Sequence, residues 1–331
     1  MRWGLVGAST IAAEHMIGAI RANGGEISWV VSGNAEHAIT YAQKHRINRA
    51  GTDFAQLLAD GSADAVYISS TNEKHLPQAL AAIGAGKHVL CEKPLALTVA
   101  EARAMVATAA EKGVAFATNH HLRNAGSHLA IQGLIADGSI GDVLSMRVHH
   151  AVFLPPHLQG WRISDPSAGG GVIADITVHD ADTVRFHLGE DPESVVAISA
   201  SSGLGRGVED SCMSVWDMPS GAQIMAHESF THAFAGTGID VHGTKGSIFG
   251  RNVMTQQPIG TVELVTSAGR KDVTFSSHSL YERSIRQFMS AVDGSGRSAA
   301  DGVDGVKSLA VAEAVKSAAL SGSRAIVNYE G

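Results

Sequence analysis

The chain has 331 residues, 44% of them hydrophobic and 17% charged, with a net charge of −7. This length predicts two domains, and the composition is that of a folded globular protein rather than a disordered one. The acidic balance argues against nucleic acid and anionic membranes as partners. No segment approaches the roughly 20 apolar residues of a membrane span. Cys91 and Cys212 form no disulfide framework, which favours a reducing, cytoplasmic compartment.

The N-terminus predicts a strand at residues 3–6, a nucleotide-binding turn and a helix at 11–22. The turn only partly meets the pattern G-x-G-x-x-G/A, because Gly7 permits a tight turn but Ser9 replaces the second glycine. Ser9, Thr10 and Ile11 can still present backbone N–H groups, and Ser9 a hydroxyl, to a pyrophosphate at the helix N-terminus. Alternatively, the small residues simply join a strand to a helix.

The segment after the second predicted strand, residues 26–31, bears on cofactor choice. Proteins that prefer NAD usually place a carboxylate there to bind the ribose 2′-hydroxyl. This chain instead has Ser32, Gly33 and, one helical turn on, His37, which favour the 2′-phosphate of NADP(H). Glu36 and the absence of an arginine point the other way, and an ordinary helix start is the plain alternative.

Strands at 65–69, 87–90 and 114–118 alternate with helices at 53–59, 73–85 and 98–112. This alternation is typical of a doubly wound parallel sheet. Four polar residues follow the strand at 65–69 and should lie beside the pyrophosphate and nicotinamide; they are Ser70, Thr71, Asn72 and His75. Thr71 or Asn72 could also serve only as a helix N-cap.

Glu92-Lys93-Pro94 follows the strand at 87–90 directly. Pro94 cannot continue a sheet ladder, so the lysine is delivered at the carboxyl end of a strand, where open α/β sheets bind ligands. From position alone, a surface lysine capping the strand is an equal alternative.

The second half predicts a helix at 127–137 and a long strand at 143–152. Further strands are expected at 194–201, 210–217, 222–230, 238–242, 261–266 and 272–276, before helices at 280–292 and 306–320. Strands joined mainly by hairpins indicate an open, mainly antiparallel sheet in an α+β domain. We therefore divide the chain into a nucleotide domain, 1–120, and a substrate domain, 121–331.

Asp175 and His179 follow the run Gly169-Gly170-Gly171 and are four residues apart, which places them on one face of a predicted helix. A carboxylate beside a histidine can select its tautomer and favour proton transfer near neutral pH. Asp182 falls near the same line, whereas Asp180 should point elsewhere. A surface ion pair or a core histidine is the commoner outcome of this pattern.

Three further residues are candidates for ligand contact: His150 at a strand end, and Trp161 and Arg162 after a stiff Pro-Pro loop. Tryptophan offers a flat apolar face and arginine a planar donor fork. Loop packing and a surface charge are the alternatives. The 17 histidines include no spacing typical of a metal site, so no metal is expected.

Taken together, the glycine turn, Thr71-Asn72 with His75, and Gly-Lys-His-Val-Leu-Cys-Glu-Lys-Pro-Leu resemble the glucose–fructose oxidoreductase, inositol dehydrogenase and MocA family. The resemblance extends through both halves, including 118–124, 154–162, 169–182 and 241–244. It implies an N-terminal Rossmann domain (α/β) and a C-terminal α+β domain. It also implies that Lys93, Asp175 and His179 are catalytic and line the substrate site, with His150 and Trp161 contacting substrate, and Glu92, Trp161 and Arg162 contributing to the cofactor site.

Within the family the segments most resemble reductases of an anhydro-sugar ketone that use NADP(H). The expected partner is therefore a small sugar. An inositol or aldose dehydrogenase is the alternative among enzymes, and a catalytically silent sugar or nucleotide sensor is the alternative from another class. Such a sensor is expected to lack the lysine or the histidine, and both are present here. Monomer and homo-oligomer are both open.

Overall fold

The computed structural model describes all 331 residues, which divide into two compact units. The first comprises Met1–His121 and Tyr281–Val306, and the second Leu122–Leu280 and Lys307–Gly331. Residues 281–306 therefore belong to the first unit, whereas the division at 120/121 assigns them to the second.

The first unit is built on six parallel strands. These are β1 (Arg2–Val6), β2 (Glu26–Val31), β3 (Ala50–Gly51), β4 (Ala65–Ile68), β5 (His88–Cys91) and β6 (Phe116–Thr118). The sheet order is β3-β2-β1-β4-β5-β6, so the strand order reverses between β1 and β4. That reversal is the place where doubly wound sheets bind their ligands.

Helices cover this sheet, and Trp3, Trp29 and Tyr67 are fully buried in its core. They are α1 (Ile17–Ala22), α2 (Ala35–His45), α3 (Phe54–Ala59), α4 (His75–Gly84) and α5 (Val99–Lys112). A π-helical turn, Ala12–Met16, precedes α1, and a 3₁₀ turn, Asn72–Lys74, precedes α4. Helix α5 begins at a capping box formed by Thr98 and Glu101 and ends at Gly113, close to the predicted bounds of 98–112.

The second unit contains nine strands in one sheet. They are β7 (Val143–Ala151), β8 (Ser194–Ala200), β9 (Ser211–Asp217), β10 (Gln223–Ser229), β11 (Thr237–Gly243), β12 (Gly246–Arg251), β13 (Thr261–Thr266), β14 (Gly269–Asp272) and β15 (Ala325–Ile326). The order is β14-β13-β12-β11-β7-β10-β9-β8-β15, and only β7 and β10 pair in parallel. The predicted open, mainly antiparallel sheet is confirmed.

One face of this sheet is packed and the other is open. Buried and exposed side chains alternate along β9 and β10, with Trp216 buried and Met213 56% exposed. The helices of this unit are α6 (Gly126–Ala136), the short α7 (Pro156–Gln159) and α8 (Val178–Leu188). Helix α8 is buried along almost its whole length and follows a π-helical turn, Ile173–Thr177. The remaining 3₁₀ turns are His121–Asn124 and Gly160–Ile163.

The last two helices are α9 (Leu280–Val292) and α10 (Gly302–Ser321), which precede the short strand β15. In the first unit, the ring of Phe288 on α9 lies 5.3 Å from that of Trp3.

Three strands differ from the prediction. Strand β14 lies at 269–272 rather than at 272–276. The short strands β3 and β15 have too few residues for an alternation of apolar and polar side chains to be visible in the sequence. None of the helices combines the length and the apolar composition that crossing a membrane requires.

Candidate active site

The turn after β1 lies at the point where the strand order of the first unit reverses. Gly7 has φ +112°, and a Cβ there would lie 2.9 Å from the Ser69 carbonyl carbon, so only glycine fits. Ser9 Oγ accepts a hydrogen bond from Ala12 N at 3.2 Å and lies 2.7 Å from Ser69 Oγ. Ser9 thus joins the carboxyl ends of β1 and β4 and caps the helix. Thr10 and Ile11 lie at the same helix N-terminus, which favours an anion.

The residues at the tip of β2 are those predicted to form the second part of a nucleotide site. Asn34 caps α2 by accepting from His37 N at 2.8 Å, and His37 Nδ1 lies 3.3 Å from Ser32 Oγ. Gly33 and His37 are exposed and Ser32 is partly exposed. A hydroxyl and an imidazole therefore adjoin where NAD-preferring proteins place a carboxylate.

The residues after β4 are mostly fixed by one another. Ser70 Oγ donates to Gln78 Oε1 at 2.6 Å, and Thr71 Oγ1 donates to Glu73 Oε1 at 2.6 Å. Asn72 is buried. His75 is 1% exposed, with Nδ1 2.9 Å from the Pro94 carbonyl and Nε2 3.2 Å from that of Ser70. Burial lowers the pKa of His75. His75 therefore links the loop after β4 to the loop that carries Lys93.

Lys93 follows β5 and is half-buried. Two hydrogen bonds hold the side chain of its neighbour Glu92: Oε1 accepts from Tyr67 Oη at 2.5 Å and from Asn119 Nδ2 at 2.6 Å. Asn119 is itself fixed by Ser284 Oγ, which donates to its Oδ1 at 3.2 Å. Burial raises the pKa of Glu92, and these donors offset part of that shift. The network fixes the backbone from which Lys93 projects.

In the second unit, the glycine run and the loop before it adjoin the start of the π-helical turn Ile173–Thr177 that precedes α8. Gly171 has φ +113°, and a Cβ there would meet the Glu209 carboxylate at 2.3 Å. Glu209 Oε1 accepts from Ile173 N at 3.1 Å at the start of the π-helical turn. Trp161 and Arg162 stack, with the guanidinium carbon 4.7 Å from the ring centroid, and Arg162 Nε lies 3.4 Å from Asp175 Oδ2.

Asp175 lies within the π-helical turn and His179 lies just after it, on α8. Hydrogen bonds in a π-helix join residues five apart, so the four-residue spacing does not have the register of a regular α-helix there. Both residues are buried, at 8% and 6% exposure. Such π-helical turns frequently mark functional sites.

His150 and Asp180 form a contact that the sequence does not predict. His150 Nδ1 lies 2.9 Å from Asp180 Oδ1, and the His150 ring centroid is 6.1 Å from that of His179. Asp182 instead forms a buried ion pair with Arg123, whose Nη2 lies 2.6 Å from Asp182 Oδ1. Asp180 therefore contacts a candidate residue, whereas Asp182 is paired within the structural core.

Four polar residues that no sequence pattern predicted hold candidate residues in place: Tyr67 and Asn119 in the first unit, and Asp180 and Glu209 in the second. Each acts on a partner at least 25 residues away in the chain, so no local spacing marks it. No group of three histidine, cysteine or acidic side chains that could hold a metal ion is found anywhere in the chain.

Two family models match the chain. One describes an oxidoreductase family with an NAD-binding Rossmann fold and matches residues 1–120, and the other describes the GFO/IDH/MocA C-terminal domain and matches residues 128–249. The chain belongs to the GFO/IDH/MocA family of oxidoreductases. Its first unit is an NAD(P)-binding Rossmann domain, and the resemblance stated from the sequence is confirmed.

Relatives within the family differ in similarity. The chain is 54% identical to the 1,5-anhydro-D-fructose reductase of Ensifer adhaerens over 325 residues, which cover 98% of each chain. It is 28% identical to the myo-inositol 2-dehydrogenase of Thermotoga maritima, over 83% of each. The first relative is therefore much closer than the second.

Solved structures support the fold over the whole chain. The aldose–aldose oxidoreductase of Caulobacter crescentus, crystallised with glycerol, superposes with a TM-score of 0.90 at 24% identity, covering 98% of this chain and 99% of the other. A levoglucosan dehydrogenase in complex with NADH and levoglucosan gives 0.88 at 20% identity, covering 99% of each.

Proposed function

We propose that this chain reduces the ketone of 1,5-anhydro-D-fructose to give 1,5-anhydro-D-mannitol, with NADPH as the reductant. The observation that carries the proposal is the 54% identity, over 98% of each chain, to the relative of that name. Lys93, Asp175 and His179, the residues with the chemistry for this reaction, are all present.

The residues of the first unit fit a dinucleotide. Gly7 and Ser9 shape the turn at the strand reversal, and Thr10 and Ile11 offer the helix N-terminus to the pyrophosphate. Ser32, Gly33 and His37 bind the 2′-phosphate in the absence of a carboxylate at that point. Ser70, Thr71, Asn72 and Glu92 lie at the carboxyl edge where the nicotinamide half is expected, and His75 positions that edge.

When bound, the cofactor supplies a hydride to the ketone carbon. Lys93 donates a hydrogen bond to the ketone oxygen and stabilises the negative charge that develops on it. His179 gives a proton to the same oxygen. Asp175, held by Arg162 at 3.4 Å, orients the substrate and His179. Trp161 presents its ring to the sugar or the cofactor, and His150 contacts the sugar.

A related activity, oxidation of an inositol or an aldose, is the second candidate. The 28% identity to a myo-inositol 2-dehydrogenase and to an NADP⁺-dependent D-xylose 1-dehydrogenase of Haloferax volcanii favours it. The lower identity of these relatives places this candidate second. A reducing compartment is also part of the proposal, because Cys91 and Cys212 are both buried free thiols.

The test measures oxidation of NADPH and of NADH with 1,5-anhydro-D-fructose, other osones, an inosose and simple aldoses, and the reverse reaction with inositol and xylose. We expect the highest kcat/KM for 1,5-anhydro-D-fructose with NADPH. A higher value for inositol or xylose oxidation would replace the proposal by the second candidate. Turnover of none of these substrates, with cofactor binding intact, would point to the sensor class.

A further inference from the structure

Two carboxyl groups lie in the interior of the second unit, next to His150. Asp180 is on α8 and Glu228 is on β10, and both are 0% exposed. Glu228 is the register partner of His150 across the parallel pair of β10 and β7, so their side chains share one face of the sheet. Asp180 reaches His150 from the helix above that face, with 2.9 Å between Oδ1 and Nδ1.

The remaining oxygens of this pair have too few donors. Asp180 Oδ2 and both carboxyl oxygens of Glu228 are buried without a hydrogen bond of good geometry, and the hydroxyl of Thr177, which lowers the pKa of Glu228, is a single donor beside them. Buried oxygens rarely persist without a donor, and two adjoining carboxylates repel each other in a medium of low dielectric constant. Burial raises the pKa of both Asp180 and Glu228, and the charge of Asp180 raises that of Glu228 further.

One proton between the two carboxyl groups resolves this shortage. It supplies a donor to the facing oxygens and leaves a single negative charge on the pair, as in other closely spaced carboxyl pairs. Asp180 Oδ1 can then accept the Nδ1–H of His150. Such a contact fixes the tautomer of an imidazole and stabilises its protonated form.

The groups around His150 come from several elements. Helix α8 contributes His179 and Asp180, and β10 contributes Glu228. Helix α6 contributes His128, and a positive charge on His150 lowers the pKa of His128. The charge of His149, the residue before His150 on β7, lowers the pKa of Asp180. Asp180 is the carboxyl group in contact with the His150 ring, and Glu228 lies beside His150 on the same face of the sheet.

We propose that Asp180 and Glu228 hold one proton between them and give His150 an anionic partner at Nδ1, which makes His150 the proton reserve for His179. Asp180 and Glu228 are thus positioning residues that act through His150. The shared proton stands independently of the reaction, whereas the role as reserve rests on the proposed reduction.

The protons balance over one turnover. His179 gives its proton to the alkoxide oxygen and is left neutral. Protonated His150 returns a proton from Nε2 to His179, directly or through one water molecule, across rings whose centroids are 6.1 Å apart. His150 keeps its Nδ1–H on Asp180 and takes up a proton from solvent, so each cycle carries the one proton that reduction of a ketone consumes.

The shared proton is tested without substrate. Infrared difference spectra of wild type minus Glu228→Gln at neutral pH should show a protonated-carboxyl band that shifts in D₂O. The difference removes the signal of the other carboxyl groups, Glu92 included. A difference spectrum without that band would overturn the proposal, whatever sugar the enzyme acts on.

The role of His150 is tested by the pH profile of kcat for reduction. Glu228→Gln keeps a donor toward Asp180, so the alkaline limb of the profile should keep its position. The control for an unchanged kcat is Asp272→Asn, at an exposed position on β14. Asp180→Asn puts a neutral amide in place of the carboxylate at His150 Nδ1, so His150 loses its proton more readily and the alkaline limb should move down by about one pH unit or more. If the alkaline limb of Asp180→Asn does not move and only kcat or Tm falls uniformly, then Asp180 is a structural residue and the role of His150 as proton reserve is overturned.

Discussion

Lys93 is the residue whose ammonium group carries the proposed stabilisation of the ketone oxygen. Replacement by methionine keeps the length and apolar stem of the side chain but removes the charge and the donors. We expect Lys93→Met to lower kcat on the order of 10²–10³-fold, as for other lost oxyanion donors, while cofactor affinity stays unchanged. The measurement combines steady-state rates with a fluorescence titration of NADPH. The exposed Lys112, at the end of α5, provides the control Lys112→Met, and near-wild-type turnover of Lys93→Met would remove the assignment.

His37 decides between the two cofactors in our proposal, because its ring adjoins Ser32 Oγ at 3.3 Å. A hydrogen bond to a charged group contributes about 1.5–3 kcal/mol, so His37→Ala should weaken NADPH binding by about tenfold or more. The affinity for NADH should not change, because NADH lacks the 2′-phosphate. Lys44→Ala, on the last turn of the same helix, is the control. Equal losses for both cofactors would mean that His37 acts on the fold of α2 rather than on the phosphate.

The loop between β8 and β9 depends on one carboxylate. Asp210 accepts from the backbone N–H groups of Ser202, Gly203, Leu204 and Gly205 at 2.7–2.8 Å and also from Ser202 Oγ. Burial alone would raise the pKa of Asp210, but these donors outweigh it and lower the value to about 2. The loop ends at Glu209, which holds the start of the π-helical turn before α8.

We therefore expect Asp210→Asn to destabilise the protein by about 2 kcal/mol at pH 7. Because the folded pKa is depressed from 3.8 to about 2, the contribution is complete above about pH 4 and is lost as the pH falls toward 2. Urea unfolding at pH 7 and at lower pH measures it, with the exposed Asp272→Asn as control. A deficit that stays constant down to pH 2 would show that the charge of Asp210 is not its source.

Helices α6 and α8 meet through two buried histidines. His128 Nδ1 lies 3.1 Å from His187 Nε2, and His128 Nε2 donates to the Val253 carbonyl at 3.0 Å. Burial lowers the pKa of His128 to about 4 and that of His187 well below its usual range. Both rings are therefore neutral in the folded protein near neutral pH.

Stability should fall in acid because these two histidines bind protons in the unfolded chain at a pH at which they are still neutral in the folded protein. The contribution is complete above about pH 6.5 and is lost as the pH falls toward 4, which amounts to about 2 kcal/mol at pH 5 for His128. Unfolding free energies at pH 7.5 and pH 5 measure it. His128→Gln should lose less stability between these two values than wild type, and the exposed His157→Gln should lose as much. Equal losses in all three proteins would contradict the neutral state of His128.

At the scale of the whole molecule, local patterns predicted most of the fold. Alternation of strands and helices gave the parallel sheet, and the helix at 280–292 was predicted with the bounds that the structure has. Its membership of the first unit was not predicted, because its contact residues, such as Phe288 and Trp3, are far apart in the chain and no pattern joins them.

The candidate site divides in the same way. Lys93 and Gly7 are visible because strand ends and tight turns have local signatures. The pairing of His150 with Asp180 is not visible, because an ideal α-helix directs Asp180 away from Asp175 and His179, and its partner lies on a strand 30 positions earlier. The π-helical turn at Ile173–Thr177 alters the register that the four-residue spacing assumes. The local spacing of apolar residues thus predicts helices and strands. Contacts between side chains on different helices and strands can be identified only once the fold is known.

The return of residues 281–306 to the first unit leads to a prediction about independent folding. In that unit, Tyr281 stacks on His15 at 4.4 Å and on His121 at 5.3 Å, and Phe288 packs against the fully buried Trp3. A fragment of residues 1–121 exposes these rings. We expect it to unfold without cooperativity and to bind NADPH poorly.

Joining residues 281–306 to that fragment through a short Gly/Ser linker should restore cooperative unfolding in urea and the NADPH fluorescence titration. The close approach of His121 and Tyr281 makes a short linker sufficient. Phe288→Ala in the joined fragment is the matched control and should cost about 3–5 kcal/mol, because it leaves a cavity against Trp3. If residues 1–121 alone unfold cooperatively with the same midpoint as the joined fragment, then the N-terminal sheet supplies its own core and the segment 281–306 merely covers it.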